Sequence, residues 1–282
     1  MGKYEGISAS DLELLSKYDT PTICNVIELF DIRPRDKGYM DHRIKACFPQ
    51  MPPMVGYAST ATFRSASPPK SGDIYSSMSD QVESFAELPG PAVVVFQDID
   101  DPPAAATFGE VMCTTYQAFG AAGLITSGGG RDLDQVEAIG FPTFVGGVIC
   151  AHGYCHTLSI NTPVHIGGMT IYPGDLIHGD RNGVTTIPAA IASQVAHVCK
   201  EFMEAEDIVL NYVRSESPTP QGMAQAREAC GQKIVELRDR VSYYGIKSSL
   251  LILFSMMLLL IIGLRNLKYS LIRRQALLYV KK

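Results

Sequence analysis

The chain has 282 residues, 46% of them hydrophobic and 19% charged, with a formal net charge of −5. That length holds one large domain plus an appendage, and the apolar content is enough for a sizeable core. The acidic balance, with no basic stripe carrying interleaved aromatics in the globular part, excludes a nucleic-acid binder. Seven cysteines at scattered spacing give no disulfide framework and fit a reducing compartment.

From the N-terminus, Met1–Ser8 has no apolar signal core, and residues 11–31 read as one helix. A loop around Pro49, Pro52 and Pro53 leads into a strand at Gly56. Ala92–Phe96, an apolar and mostly β-branched run after Pro89-Gly90-Pro91, predicts a buried strand. Gly109–Gly120 predicts a helix with Val111, Met112, Thr115 and Phe119 roughly along one face. Glu110 falls in its first turn, where unpaired backbone N–H groups can bind an anion.

Gly123–Thr126 predicts a second short strand, followed by the glycines 128–130, read as a turn that delivers Arg131 and Asp132. A carboxylate and a guanidinium on adjacent residues suit a hard metal ion and a substrate oxyanion. The same residues also fit an ordinary strand-to-helix turn with a surface ion pair.

Cys150, His152, Cys155 and His156 crowd two thiols and two imidazoles into seven residues. Their spacing matches no standard zinc pattern, and no second ligand half follows. The blander account is a surface connection. His178 and Asp180 stand two apart with no serine-nucleophile signature, so they read as hairpin or site-rim residues. The glycine run lacks the Lys-Ser/Thr of a phosphate loop.

Ala189–Val213 reads as a helix beginning after Pro188, and 215–222 as a linker by composition. Met223–Val241 reads as an amphipathic helix with Ala226, Cys230, Ile234, Leu237 and Val241 on one side. The expected organisation is a catalytic domain over 1–214, the linker 215–222, an amphipathic helix over 223–246 and a hydrophobic tail over 247–282 with a basic end. Ser248–Leu264 is 17 uncharged residues between Lys247 and Arg265, the short limit of a transmembrane helix. A buried helix in an oligomer and a tail that is not native are the other readings of this stretch.

Several segments together resemble the RraA-like family, which includes 4-hydroxy-4-methyl-2-oxoglutarate aldolases that also decarboxylate oxaloacetate. They are Leu15–Thr22, Gly56–Ala61, Gly109–Met112, Gly130-Arg131-Asp132 and Tyr172–Val184, in that order, and the resemblance covers residues 10–215. It implies an α/β fold, a β/β/α layered domain with a mixed sheet, assembled as a homotrimer or hexamer.

It also implies roles. Asp132 resembles the ligand of a divalent metal, Mg2+ or Mn2+. Arg131 resembles the substrate-binding, catalytic arginine. Gly109 and the N–H groups of Val111 and Met112 resemble the segment that holds a pyruvate carboxylate. Glu110 stands where members often have an aspartate that orders water for proton transfer, so the added methylene alters the relay geometry. The family draws a glutamate from a neighbouring subunit's C-terminal helix, and Glu201, Glu204 and Glu206 are candidates. The implied function is a metal-dependent lyase that cleaves small 2-keto acids to pyruvate in the cytoplasm, with the tail as membrane anchor. The alternative is a non-catalytic regulator that binds a partner protein.

Overall fold

A mixed sheet organises the chain; the computed structural model describes residues 6–71 and 77–242. Two short helices open it, α1 (Ala9–Leu15) and α2 (Thr20–Glu28). The strands β1 (Lys45–Ala46) and β2 (Met54–Arg64) follow, then helix α3 (Met78–Ser84). The central segment runs β3 (Ala92–Asp98), β4 (Ala106–Phe108), α4 (Glu110–Ala118), β5 (Ala121–Gly130), α5 (Leu133–Ala138) and β6 (Thr143–Val148). Then come β7 (His156–Ile160), β8 (Val164–Ile166), β9 (Met169–Ile171), β10 (Leu176–Asp180) and β11 (Gly183–Ile187). Helix α6 (Ala192–Val213) and helix α7 (220–242) close the described chain.

The strand order is β1-β6-β5-β3-β2-β10-β11, with β4 paired to β5 and β7 to β2. β2, β3, β5 and β6 are mutually parallel, while β1, β7, β10 and β11 join antiparallel. The parallel centre explains the apolar run Ala92–Phe96, because such strands are covered on both faces. On one side α1, α2 and α6 pack Leu15, Ile23, Val195 and Phe202 against Tyr57 and Leu176. On the other, Met112, Tyr116 and Val136 from α4 and α5 pack with Phe63, Phe96 and Phe108. The β8–β9 hairpin closes a third cluster over Val93, Val95 and Ile125.

The predicted single helix over 11–31 is instead two. Asp19 accepts the Thr22 N–H at 2.8 Å and Pro21 follows in the first turn. A capped start and a residue without N–H break the ladder there. The buried face of α4 is Met112, Cys113 and Tyr116, whereas Val111 and Phe119 are 61% exposed. Tyr116 fixes that face by donating its hydroxyl to Gln81 Oε1 at 2.7 Å and packing near Phe96 and Phe85.

The glycine run is also not a turn. Gly128–Gly130 lie inside β5, and none of the three adopts positive φ. They are small because neighbours are close: a Cβ on Gly130 would come within 2.5 Å of the Phe108 ring, and one on Gly128 within 2.7 Å of Asp98 Oδ2.

His178 and Asp180 lie in the β10–β11 hairpin, one of the two places expected for them, and are buried there rather than at a site rim. His178 Nε2 lies 3.2 Å from the Leu15 carbonyl, and Thr20 pairs with both residues, its Oγ1 3.0 Å from His178 Nδ1 and its N–H donating to Asp180 Oδ2 at 2.9 Å. They tie the N-terminal helices to the sheet. Burial pushes the His178 imidazole below its usual pKa, so it stays neutral.

Helix α7 buries Ala226, Cys230, Leu237 and Val241, the last two in the cluster that includes α6. Arg240 forks onto Glu201 of α6 at 2.7 and 2.9 Å. Among the described residues no helix is long and apolar enough to cross a membrane. The predicted hydrophobic stretch 248–264 lies outside the described residues.

Candidate active site

Three chain segments meet where β4 and β5 end. The Arg131 N–H donates to the Phe108 carbonyl at 3.1 Å, and the Ile149 N–H donates to the Gly130 carbonyl at 3.1 Å. These bonds hold the end of β4, the end of β5 and the segment after β6 in one register. β4 leads into α4 through Gly109, the residue preceding its first turn. β5 leads through Arg131 to Asp132, which takes the left-handed conformation (φ 53°, ψ 43°) and starts α5 by accepting the Val136 N–H at 2.9 Å. A non-glycine residue at positive φ is uncommon, and aspartate is among the side chains that tolerate it. The unusual backbone of this turn therefore falls on the carboxylate rather than on the glycines.

That conformation turns the Asp132 side chain onto the start of α4. Its Oδ2 accepts the Glu110 N–H at 3.0 Å, and Arg131 Nε lies 3.8 Å from the same oxygen. Asp132 Oδ1 accepts no hydrogen bond from the described residues. The N–H groups of Val111 and Met112 belong to the first turn, where no carbonyl lies one turn back to receive them. A site results with one available carboxylate oxygen, a guanidinium and helix-terminal donors for an anion. Gly109 is required here, because a Cβ would strike Asp132 Oδ2 and stand 3.1 Å from Arg131 Nε.

The cleft between these groups is small, about 40 Å³, and its lining includes Phe108, Gly109, Val111, Met112, Arg131 and Asp132, together with His152 and Cys155. The structure thus brings together Gly109, Val111, Met112, Arg131 and Asp132. Glu110 stands at its rim: its N–H is tied to Asp132 while its side chain is solvent-exposed.

Glu201, Glu204 and Glu206 lie on α6, outside the cleft lining. Glu201 is engaged by Arg240, Glu204 lies 3.7 Å from Lys200, and burial together with Asp19 and Asp207 pushes the Glu206 carboxyl above its usual range.

His152 and Cys155 are the residues that sequence reasoning set aside as a surface connection. The loop that carries them is pinned at both ends: the Ala106 N–H donates to the Ala151 carbonyl at 2.7 Å, and the Tyr154 N–H to the Ser65 carbonyl at 3.0 Å. His152 Nδ1 is 2.9 Å from the Gly153 carbonyl. A carbonyl can only accept, so Nδ1 carries the proton and Nε2 is the basic nitrogen. Burial pushes the Cys155 thiol up to about 11, with nearby Arg131 opposing the shift, so it stays a neutral wall group. The signal in the sequence was there: two imidazoles and two thiols within seven residues.

Among the described residues no group of three or more His, Cys, Asp or Glu converges to hold a metal. A hard divalent cation fits the arrangement all the same. Magnesium keeps several waters and is commonly held by one or two carboxylates plus the substrate, and Asp132 Oδ1 is the oxygen left for it.

A protein of Halalkalibacterium halodurans, provisionally named a 4-hydroxy-4-methyl-2-oxoglutarate aldolase, is 34% identical over 124 residues, which is 44% of this chain and 58% of that protein. The chain therefore spans little more than half the length of that relative. An uncharacterized protein from Pseudomonas syringae superposes with a TM-score of 0.62 at 22% identity, covering 81% of this chain and 97% of that one. Streptomyces coelicolor RraAS2, described as an unusual member of the RNase ES inhibitor RraA protein family, superposes with a TM-score of 0.58 at 20% identity, covering 72% of this chain and 97% of that one. At those identities the two structures speak for the fold alone. The model for RraA-like proteins, described as Aldolase/RraA, matches residues 20–186, a span that contains the whole β4–α4 and β5–α5 junction, and the chain belongs to that family.

Proposed function

We propose that this protein is a divalent-metal-dependent lyase that cleaves a carbon–carbon bond next to a 2-keto acid and releases pyruvate. The observation that carries the proposal is the Asp132 turn, which sets a carboxylate with one free oxygen beside Arg131 and the N-terminus of α4. The substrates are 4-hydroxy-4-methyl-2-oxoglutarate and its relatives, with oxaloacetate as a second substrate. The name of the H. halodurans relative supports that choice.

In this reading the substrate's carboxylate lies on the Val111 and Met112 N–H groups, where the helix dipole favours an anion. Arg131 faces the C2 oxygen and stabilises negative charge as it develops there. A cation at Asp132, when bound, adds Lewis-acid stabilisation to the same oxygen.

In the retro-aldol direction the C4 hydroxyl gives up its proton, the C3–C4 bond breaks, and the electron pair moves onto the C2 oxygen. A proton then returns to C3 to give pyruvate. His152, which shares the cleft lining, is the base assigned to the hydroxyl proton, through Nε2. Glu110, on the rim, relays the proton that returns to C3. Decarboxylation of oxaloacetate gives the same enolate by loss of CO2 and needs no hydroxyl base.

The cleft by itself is too small to enclose such a substrate, and Val111 beside it is exposed. We assign the remaining wall to a second copy of the chain in a homo-oligomer. The test is pyruvate release by the full chain with and without added Mg2+, with Asp132→Ala as control. Wild-type protein that binds a partner but releases no pyruvate with any divalent metal would favour the regulatory reading instead.

A further inference from the structure

His152 reaches the cleft lining on the segment between β6 and β7, and the hydrogen bonds that place this segment lead to a carboxylate outside the cleft. Asp100 lies two residues past β3, with a side chain 9% exposed. Its Oδ2 accepts the Ser65 and Ala66 N–H groups at 2.7 and 2.8 Å, and its Oδ1 accepts Arg64 Nε at 3.1 Å. Burial opposes the Asp100 charge, but the Ser65, Ala66 and Arg64 donors outweigh it and hold the carboxyl below its usual range. The Ile99 N–H donates to the Phe63 carbonyl at 2.9 Å, so the chain around Asp100 is itself registered on the end of β2.

The clamped residue carries the next contact. Ser65 is buried, and its carbonyl accepts the Tyr154 N–H at 3.0 Å. Gly153 takes φ 50°, and a Cβ there would stand 2.9 Å from the same carbonyl oxygen and 3.0 Å from the Ala105 Cβ. The segment thus lies directly on Ser65, with no room for a side chain between them. The Cys155 N–H donates back to the His152 carbonyl at 3.1 Å, closing a turn that carries both cleft residues. One route of hydrogen bonds therefore runs from the Asp100 carboxylate through the Ser65 peptide to the His152–Cys155 turn.

The donors explain why a carboxylate stands there. Two consecutive backbone N–H groups converge on one oxygen and a guanidinium on the other, all charge-assisted bonds. Without the carboxylate the buried Ser65 N–H loses its acceptor, which is costly. The Ser65 peptide could then turn and withdraw its carbonyl from Tyr154. The Ala106–Ala151 bond would remain, but it holds only the side of the segment that precedes His152.

We infer that Asp100 is a positioning residue for the proposed lyase: it fixes the Ser65 peptide, which seats the His152–Cys155 turn and holds the imidazole in the cleft lining. The inference rests on the proposed role of His152 as base for the hydroxyl proton. The Asp100 effect therefore falls on retro-aldol cleavage and spares oxaloacetate decarboxylation, which has no such proton to remove.

The test compares Asp100→Ala with Asp100→Asn in the full chain, since asparagine keeps one acceptor oxygen for the Ser65 and Ala66 N–H groups. Asp100→Ala should lower kcat on 4-hydroxy-4-methyl-2-oxoglutarate at least tenfold, with KM and the oxaloacetate kcat within about threefold, and Asp100→Asn should recover most of the loss. In a His152→Asn background Asp100→Ala should cost less than about twofold more, because both changes act through one imidazole. Amide exchange supplies a readout free of activity: the Tyr154 N–H in Asp100→Ala should exchange at least tenfold faster relative to Leu124 in β5. Gly153→Ala forces the turn off Ser65 without touching Asp100 and should give the same substrate split, which keeps the test open if Asp100→Ala does not fold. Equal losses on both substrates in Asp100→Ala, a full further loss in the His152→Asn background, or unchanged Tyr154 exchange overturns the inference. Wild-type chain that releases no pyruvate defeats the reading of the site instead, and Tyr154 exchange then decides by itself whether Asp100 seats the turn.

Discussion

The Glu110 N–H donates to Asp132 Oδ2 at 3.0 Å, so the carboxylate that follows β5 is anchored to the first turn of α4. Twenty-two residues separate the two in sequence. The bond occupies Oδ2 and leaves Oδ1 as the oxygen that a cation would take in the proposed function. One backbone turn at Asp132 thereby fixes that carboxylate relative to the Val111 and Met112 N–H groups.

Gly109 guards that spacing. Its backbone is extended and open to any residue, but a Cβ would collide with Asp132 Oδ2. Gly109→Ala should weaken Mg2+ binding roughly tenfold and lower kcat/KM by about 100-fold, the scale of a displacement near 1 Å. Calorimetric Mg2+ titration alongside circular dichroism separates this from unfolding, since helix content should be unchanged.

Glu110 contributes to Asp132 through its backbone, and a side-chain change leaves that bond in place. Glu110→Gln should cut turnover about 10- to 100-fold, the range for loss of a positioned proton-transfer group, with Mg2+ affinity within a factor of two. A large loss of Mg2+ affinity would make the side chain a metal ligand.

In the proposed mechanism His152 would distinguish the two substrates. Only retro-aldol cleavage has a hydroxyl proton to remove. His152→Asn should therefore lower kcat on 4-hydroxy-4-methyl-2-oxoglutarate by about 100-fold and change oxaloacetate decarboxylation by less than about threefold. Equal losses on both substrates would place the imidazole in binding rather than base catalysis.

Much of this was legible in the chain itself, for identifiable reasons. Ala92–Phe96 is covered on both faces, so its apolar run survives as a signal. Gly109 and Asp132 stand at junctions between elements, where punctuation residues are informative. The glycine run misled because close packing and positive φ select the same residue: Gly130 is small to admit Phe108, while the strained backbone belongs to Asp132. The place of His152 in the cleft lining is not legible in the sequence, because it depends on the Ala106–Ala151 and Tyr154–Ser65 backbone bonds, which join segments far apart in sequence. The break between α1 and α2 was written in Asp19 and Pro21, but the apolar residues on either side bridged it.

Asp98 gives a pH signature that does not depend on any ligand. Burial pushes its carboxyl up to about 6, with the Asp100 charge adding to the rise and the Asp100 N–H and Arg64 opposing it. The folded state then holds the proton more tightly than the unfolded chain. Its stabilising contribution is present below about pH 4 and is lost as pH rises through about 6. The difference is of order 1–3 kcal/mol. Carboxylates held low, such as Asp41 at about 2, favour the folded state as pH rises. The test is therefore the difference between wild type and Asp98→Asn in urea unfolding from pH 4 to 7.5. Asp98→Asn should gain relative stability across that window, and a flat difference would contradict the burial argument.

The most direct measurement of the central claim is pyruvate release from oxaloacetate and 4-hydroxy-4-methyl-2-oxoglutarate by the full chain, with Mg2+ and then with excess chelator. The account predicts turnover of both substrates that disappears with chelator and returns with Mg2+ or Mn2+. It also predicts that Asp132→Ala abolishes the metal-dependent turnover while keeping the wild-type circular dichroism spectrum. Full activity in Asp132→Ala, or turnover that is indifferent to the metal, would contradict it.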